Sequence, residues 1–99
     1  MERRIQMRQY ELILIVQPDL DEDVTKGVID RVSNLITDNG GEVLKMDLWG
    51  SKKLAYEIKD FREGFYVYMD VQLEPSFCSE FNTSMSYIEP IIRHALKKR

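Results

Sequence analysis

Phe65-Tyr66-Val67-Tyr68-Met69-Asp70-Val71-Gln72-Leu73 alternates without a break: Phe65, Val67, Met69, Val71 and Leu73 share one parity, and Tyr66, Tyr68, Asp70 and Gln72 share the other. A period of two is that of a strand with one face in a core, because successive side chains of extended backbone point to opposite sides. Upstream, a turn is expected over 60–64, preceded by an extended stretch from Val43 to Lys59 that is interrupted at Trp49-Gly50. A lone Gly in a strand pattern marks a bulge or bend, so this reads as one long, kinked strand. Before it, Val24, Val28, Val32, Leu35 and Ile36 recur at helical spacing. Asp19 and Asp21 offer N-cap oxygens, Glu22 and Asp23 place negative charge in the first turn, and Asn39-Gly40-Gly41 is the stop. The apolar, β-branched run from Arg8 to Val16 closes at Pro18 and reads as a buried central strand.

Downstream of Leu73, Pro75-Ser76 opens a second helix with Phe77, Phe81 and Met85 facing inward, and Ile91 to Lys97 after Pro90 reads as a short fourth strand. The order β-α-β-β-α-β belongs to the α+β class. It predicts the ferredoxin-like split βαβ arrangement, a four-stranded antiparallel sheet of order 4-1-3-2 with both helices on one face. The other face is left for solvent or a partner. One domain is expected over 1–99, with 1–6 and 98–99 as candidate flexible ends.

The 99 residues are 43% hydrophobic and 31% charged, a balance that can bury a core, unlike that of a disordered chain. The single cysteine, Cys78, can form neither an internal disulfide nor a cysteine cluster for zinc. The longest apolar run, Leu12 to Val16, is far short of the roughly 20 residues that span a bilayer, and the N-terminus lacks a signal-peptide pattern. A soluble, cytoplasmic protein with no membrane partner is expected.

The parts for an enzyme are few. His94 is the only histidine, and Cys78 beside Phe77 reads as a small buried thiol rather than as its nucleophilic partner. The acidic run Asp19, Asp21, Glu22, Asp23 fits a helix N-terminus better than a calcium loop, and Gly40-Gly41 leads into a strand rather than a phosphate-binding helix. No catalytic site, metal, cofactor or small-molecule substrate is expected.

The formal net charge of −3 has the wrong sign for a nucleic-acid binder. Divided along the chain it reads differently: residues 1–9 carry +2, 10–50 carry −6, 51–62 carry +2, 63–90 carry −5 and 91–99 carry +4. With the fourth strand antiparallel to the first, Arg3, Arg4 and Arg8 should meet Lys97, Lys98 and Arg99 at one end of the sheet. Such a patch can neutralise phosphates on an acidic protein, because the Debye length at physiological salt is only about 8 Å. Gly64-Phe65-Tyr66-Val67-Tyr68 echoes the stacking strand of an RNA-recognition motif, but its parity sends Phe65 and Val67 into the core and leaves Tyr66 and Tyr68 on the open face.

Three segments together resemble a family. Met7-Arg8-Gln9-Tyr10-Glu11 leading to Val16-Gln17-Pro18-Asp19, then Asp47-Leu48-Trp49-Gly50-Ser51-Lys52-Lys53-Leu54-Ala55-Tyr56-Glu57-Ile58, then Phe65 to Val71, are similar to the family of the sixth protein of the bacterial small ribosomal subunit, over about residues 7–97. The resemblance implies the same split βαβ fold and a non-enzymatic role. It implies binding to the central domain of small-subunit rRNA during assembly, as a heterodimer with the eighteenth small-subunit protein, in a cytoplasmic or organellar ribosome. Carried over by motif, Arg8, Tyr10, Lys53, Tyr56 and Arg93 are expected at RNA, with Lys97 from the basic end. Trp49, Lys52 and the outer edge of the second strand are expected at the protein partner. Arg and Lys supply phosphate contacts with counterion release, and Tyr supplies a flat face and a hydroxyl.

The chain departs from the family in three places. Glu57 stands where relatives often have Pro, Met1 to Gln6 precede the matching segment, and the longer C-terminal tail of some relatives is lacking after Arg99. The competing reading is a ferredoxin-like module that binds a ligand or a second copy through Tyr66 and Tyr68.

Overall fold

The computed structural model describes residues 7–99, so Arg3 and Arg4 of the expected basic end lie outside the described residues. β1 spans Arg8–Val16, α1 Glu22–Asp38, β2 Glu42–Ile58 and β3 Phe61–Leu73. A 3-10 turn, Pro75–Phe77, leads into α2, Cys78–Ser86, and β4 spans Ile91–Lys98. The sheet is antiparallel in the order β2-β3-β1-β4, the expected topology.

Register explains the core. Leu12 sits opposite Met69 and Leu14 opposite Val67, so one parity of the two central strands forms a fully buried apolar layer. Val32 and Ile36 of α1 and Phe81 and Met85 of α2 close over that layer. The buried stripe of α1 runs Val28, Ile29, Val32, Ile36, whereas Val24, expected on it, is 45% exposed in the first turn, where Thr25 and Ile29 line the groove toward β2 instead. Asp21 caps α1 with its backbone carbonyl, which accepts from Val24 and Thr25 N–H, and not with its carboxylate. At the other end Asn39 Nδ2 donates to the Leu35 carbonyl at 2.8 Å, and Gly40, at φ +82°, returns Gly41 N–H to the Ile36 carbonyl.

Two boundaries differ from expectation. The loop expected over 60–64 is mostly strand, because Lys59 and Asp60, both at positive φ, close a two-residue turn and Ile58 pairs at once with Phe61. Lys-Asp lacks the Asn-Gly signature of such a turn, which hid it. The 98–99 end, expected to be flexible, is tied into the sheet: Lys98 pairs with Tyr10, and Arg99 N–H donates to the Gln9 carbonyl at 3.0 Å.

Candidate nucleic-acid interface

The same register that fills the core decides the opposite face. Glu11, Ile13 and Ile15 of β1 lie there beside Asp70, Tyr68 and Tyr66 of β3 and Lys97, Ala95 and Arg93 of β4. β1 stops at Val16, opposite Phe65, whereas the β2–β3 hairpin continues to its turn at Lys59-Asp60. Residues 51–64 therefore overhang the sheet, and they curl back across its open face.

Gly64 permits that curl. A Cβ at this position would stand 2.2 Å from Ile15 Cγ2, far inside van der Waals contact, so only a residue without one lets β3 approach β1 so closely. Leu54, Tyr56 and Ile58 of the hairpin then form one wall of a cleft, with Ile13, Ile15, Tyr66 and Ala95 as its floor. The cleft holds about 220 Å³. Its mouth carries Arg93 and Lys97. The Arg93 guanidinium donates a hydrogen bond to the Tyr56 hydroxyl and lies 5.9 Å from the centre of its ring, which latches hairpin to β4.

In a chain with 17 carboxylates, none belongs to a described residue lining this cleft. Glu57, on the hairpin's outer side, is engaged by Arg62 Nε at 3.1 Å, so its charge is partly answered within the hairpin itself. Among the described residues there is no cluster of groups able to hold a metal ion, and no helix is long and apolar enough to cross a membrane.

Comparison with known proteins decides the family. The profile of the family described as Ribosomal protein S6 matches residues 9–98. The chain is 44% identical to a small ribosomal subunit protein bS6 of Shouchella clausii, over 93% of this chain and 97% of that one. It is 40% identical to its counterpart in Heliobacterium modesticaldum, over 94% and 97%. The crystal structure of 30S ribosomal protein S6 from Thermotoga maritima superposes with a TM-score of 0.88 at 28% identity, covering 95% of this chain and 89% of that one. The chain belongs to the ribosomal protein S6 family.

Within this S6 fold the expected site residues fall into separate groups. Arg93, Tyr56 and Lys97 meet at the cleft. Lys53 pairs across the hairpin with Glu63 and lies on the arm's other flank, beside Arg62. Arg8 pairs with Leu73, seven residues along β1 from the Ile15–Arg93 pair, which at about 3.3 Å per residue is roughly 23 Å away. Tyr10 is placed otherwise than expected. Its parity is that of Leu12 and Leu14, so its ring lies in the core at 9% exposure and offers no stacking face. Its hydroxyl is pushed above the usual tyrosine range, first by hydrogen bonding with Cys78 and then by burial. Cys78 is half-buried against the same core. His94, the register partner of Leu14, is half-buried, and that burial lowers its pKa.

Trp49 and Lys52 come together on the open face. The bulge between Leu48 and Gly50 lays the indole along Tyr68, with centroids 5.4 Å apart and planes 7° apart, and Lys52 Nζ stands 5.0 Å from the indole centre. Tyr66 and Tyr68 are thus both covered on the open face, the first by the hairpin and the second by Trp49.

Tyr68 also anchors the basic end. Its hydroxyl donates to Asp70 Oδ1 at 2.6 Å, and Arg99 holds Asp70 Oδ2 at 3.0 Å. The hydrogen bond to the carboxylate pushes the Tyr68 pKa up to about 12. The same bond, followed by the Arg99 charge, holds Asp70 below the usual carboxylate range. A depressed carboxyl contributes stability that is present above its unfolded pKa, near 3.8, and lost as pH falls through the folded value. Asp70→Asn is therefore expected to lower the urea midpoint at pH 6, with the gap to the parent closing in acid. A gap of equal size at pH 2.5 and pH 6 would assign the loss to packing instead.

No local pattern in the sequence groups Ile13, Ile15, Gly64, Tyr66 and Ala95 into one site. Gly64 interrupting an otherwise bulky strand was the one available signal, and it points to close approach of another chain segment without naming which.

Proposed function

We propose that this S6-family chain is a structural constituent of the small ribosomal subunit in the cytoplasm, that it binds the central domain of small-subunit rRNA, and that it does so together with the eighteenth small-subunit protein. The observation that carries the RNA reading is the meeting of Arg93, Lys97 and Tyr56 at a mouth whose described lining has no carboxylate, in a protein that is acidic overall. Arg8 and Lys53 add phosphate contacts at two further points. The role is binding and needs no catalysis, metal or cofactor.

The outer edge of β2 suits the protein partner. Leu44, Met46 and Leu48 are exposed along it, Leu48 to 58%, and this strand's outer backbone groups are unpaired within the sheet. Exposed apolar side chains on an edge strand are the features through which an added chain docks. Trp49, 44% exposed beside Lys52, extends that surface onto the open face.

Titration against a central-domain rRNA fragment across salt concentrations, with and without the partner, tests this reading. Affinity should fall with salt and tighten with the partner, and affinity insensitive to both would overturn it. Arg93→Ala and Lys53→Ala should each reduce the log–log salt slope by about one unit, as expected when one phosphate is no longer neutralised by the protein. An unchanged slope in either variant removes that residue from the RNA surface.

A further inference from the structure

We propose that the cleft between the β2–β3 hairpin and the open face of the sheet receives a single unstacked nucleotide, the base entering between Tyr56 and Tyr66 and its phosphate resting on Arg93 and Lys97. This rests on the rRNA-binding reading above and narrows it from a basic surface to a pocket with a defined occupant.

Size, lining and charge all bear on the occupant. A dry cavity of about 150 Å³ takes a benzene ring, so 220 Å³ is room for one heterocycle. Apart from His94 and the two cations the lining is aliphatic and aromatic, with Ile13, Ile15 and Tyr66 below and the Tyr56 ring at one side. These are surfaces on which splayed-out bases of single-stranded RNA stack, along with guanidinium planes of the kind Arg93 presents. The mouth is cationic, and the nearest open-face carboxylate along the strand, Glu11, is the register partner of Lys97 and lies outside the lining. An apolar ring bearing an anion fits this combination. A neutral apolar side chain would leave the Arg93 charge unanswered, since Glu11 stands opposite Lys97 alone. The Tyr56 hydroxyl accepts from Arg93, which leaves its own O–H to donate to a phosphate or a base edge.

The experiment uses the full chain with ¹³C-labelled isoleucine and alanine methyls. Adenosine and uridine 5′-monophosphates are titrated in, with free nucleosides and inorganic phosphate in parallel. Saturable shifts of the Ile13, Ile15 and Ala95 methyls with the monophosphates, and not with phosphate alone, support the pocket; no shift at those methyls overturns it. In the second arm, Ala95→Phe fills the cleft and keeps Arg93 and Lys97. It should weaken binding to the central-domain rRNA fragment by about tenfold, within the range of losing one stacked base, with the salt slope unchanged. A folded Ala95→Phe variant that binds like the parent overturns the proposal and leaves the rRNA reading standing. Methyl shifts with monophosphates in a protein that does not bind the rRNA fragment keep the pocket and sink the rRNA reading. Shifts at these methyls produced only by the protein partner overturn the pocket, since the cleft would then hold a side chain.

Discussion

Gly64→Ala is expected to destabilise the protein by about 1–3 kcal/mol, the usual cost of overpacking a filled interior, and to lift the hairpin from the sheet. The added methyl would stand 2.2 Å from Ile15 Cγ2. Ile15 cannot yield: it is β-branched, 8% exposed, and lies on a strand bonded on both sides, to Tyr66 and to Arg93. The hairpin has the weaker hold, because beyond Lys53 its ladder is irregular and its turn is solvated, so it is the part that moves. Displacing it parts Tyr56 from Arg93 and opens the cleft. Denaturant unfolding together with a nuclear Overhauser measurement between the Leu54 and Ile15 methyls reads both effects. Parent-like stability with the Leu54–Ile15 proximity retained would show that the close approach is not what holds the hairpin down.

Phe81→Ala is expected to be the most damaging single truncation, at about 3–5 kcal/mol. Phe81 is fully buried where α2 meets the sheet, with its ring centroid 6.0 Å from that of Phe77 at 57°, so its removal forfeits transfer energy, leaves a cavity and breaks an aromatic pair. Small domains are stable by only about 5–15 kcal/mol, so such a loss should lower Tm by well over 10 °C. The cleft lies on the other side of the sheet. The folded fraction of Phe81→Ala should therefore bind the rRNA fragment with the parental salt slope at low temperature, whereas Gly64→Ala should lose affinity even where it is fully folded. Equal losses of binding in the two variants would mean that the site is not separable from the core.

The contrast between these two positions shows what could be read in advance. Phe81 was legible because it recurs four residues after Phe77 and four before Met85, a local periodicity that assigns a face without knowledge of the rest of the chain. The alternation from Phe65 to Leu73 was legible for the same reason. Gly64 was visible only as an absence of side chain, and its counterpart Ile15 lies 49 positions away in a strand whose own pattern reads as uniformly apolar. The burial of Tyr10 was not legible in the motif, which sets it beside exposed Arg8, whereas its parity with Leu12 and Leu14 turns its ring into the core. The charge sums along the chain mark 91–99 as basic, but they do not tell Arg93 and Lys97, which line the cleft, from Arg99, which is engaged by Asp70.

Taken alone, the amino-acid sequence determined the element order, the face that each residue from Phe65 to Leu73 presents, the α+β ferredoxin-like topology and the family, since each depends on short-range period or on motif. Tertiary structure alone decided that the hairpin overhang returns across the open face, that Tyr56 meets Arg93, and that a 220 Å³ cleft forms between them. Those outcomes depend on the lengths of β1 and β3 relative to one another and on a close approach between backbone at Gly64 and a side chain at Ile15. Such steric complementarity between distant segments leaves no local pattern, because close packing is a property of the folded surfaces and not of neighbouring residues in the chain.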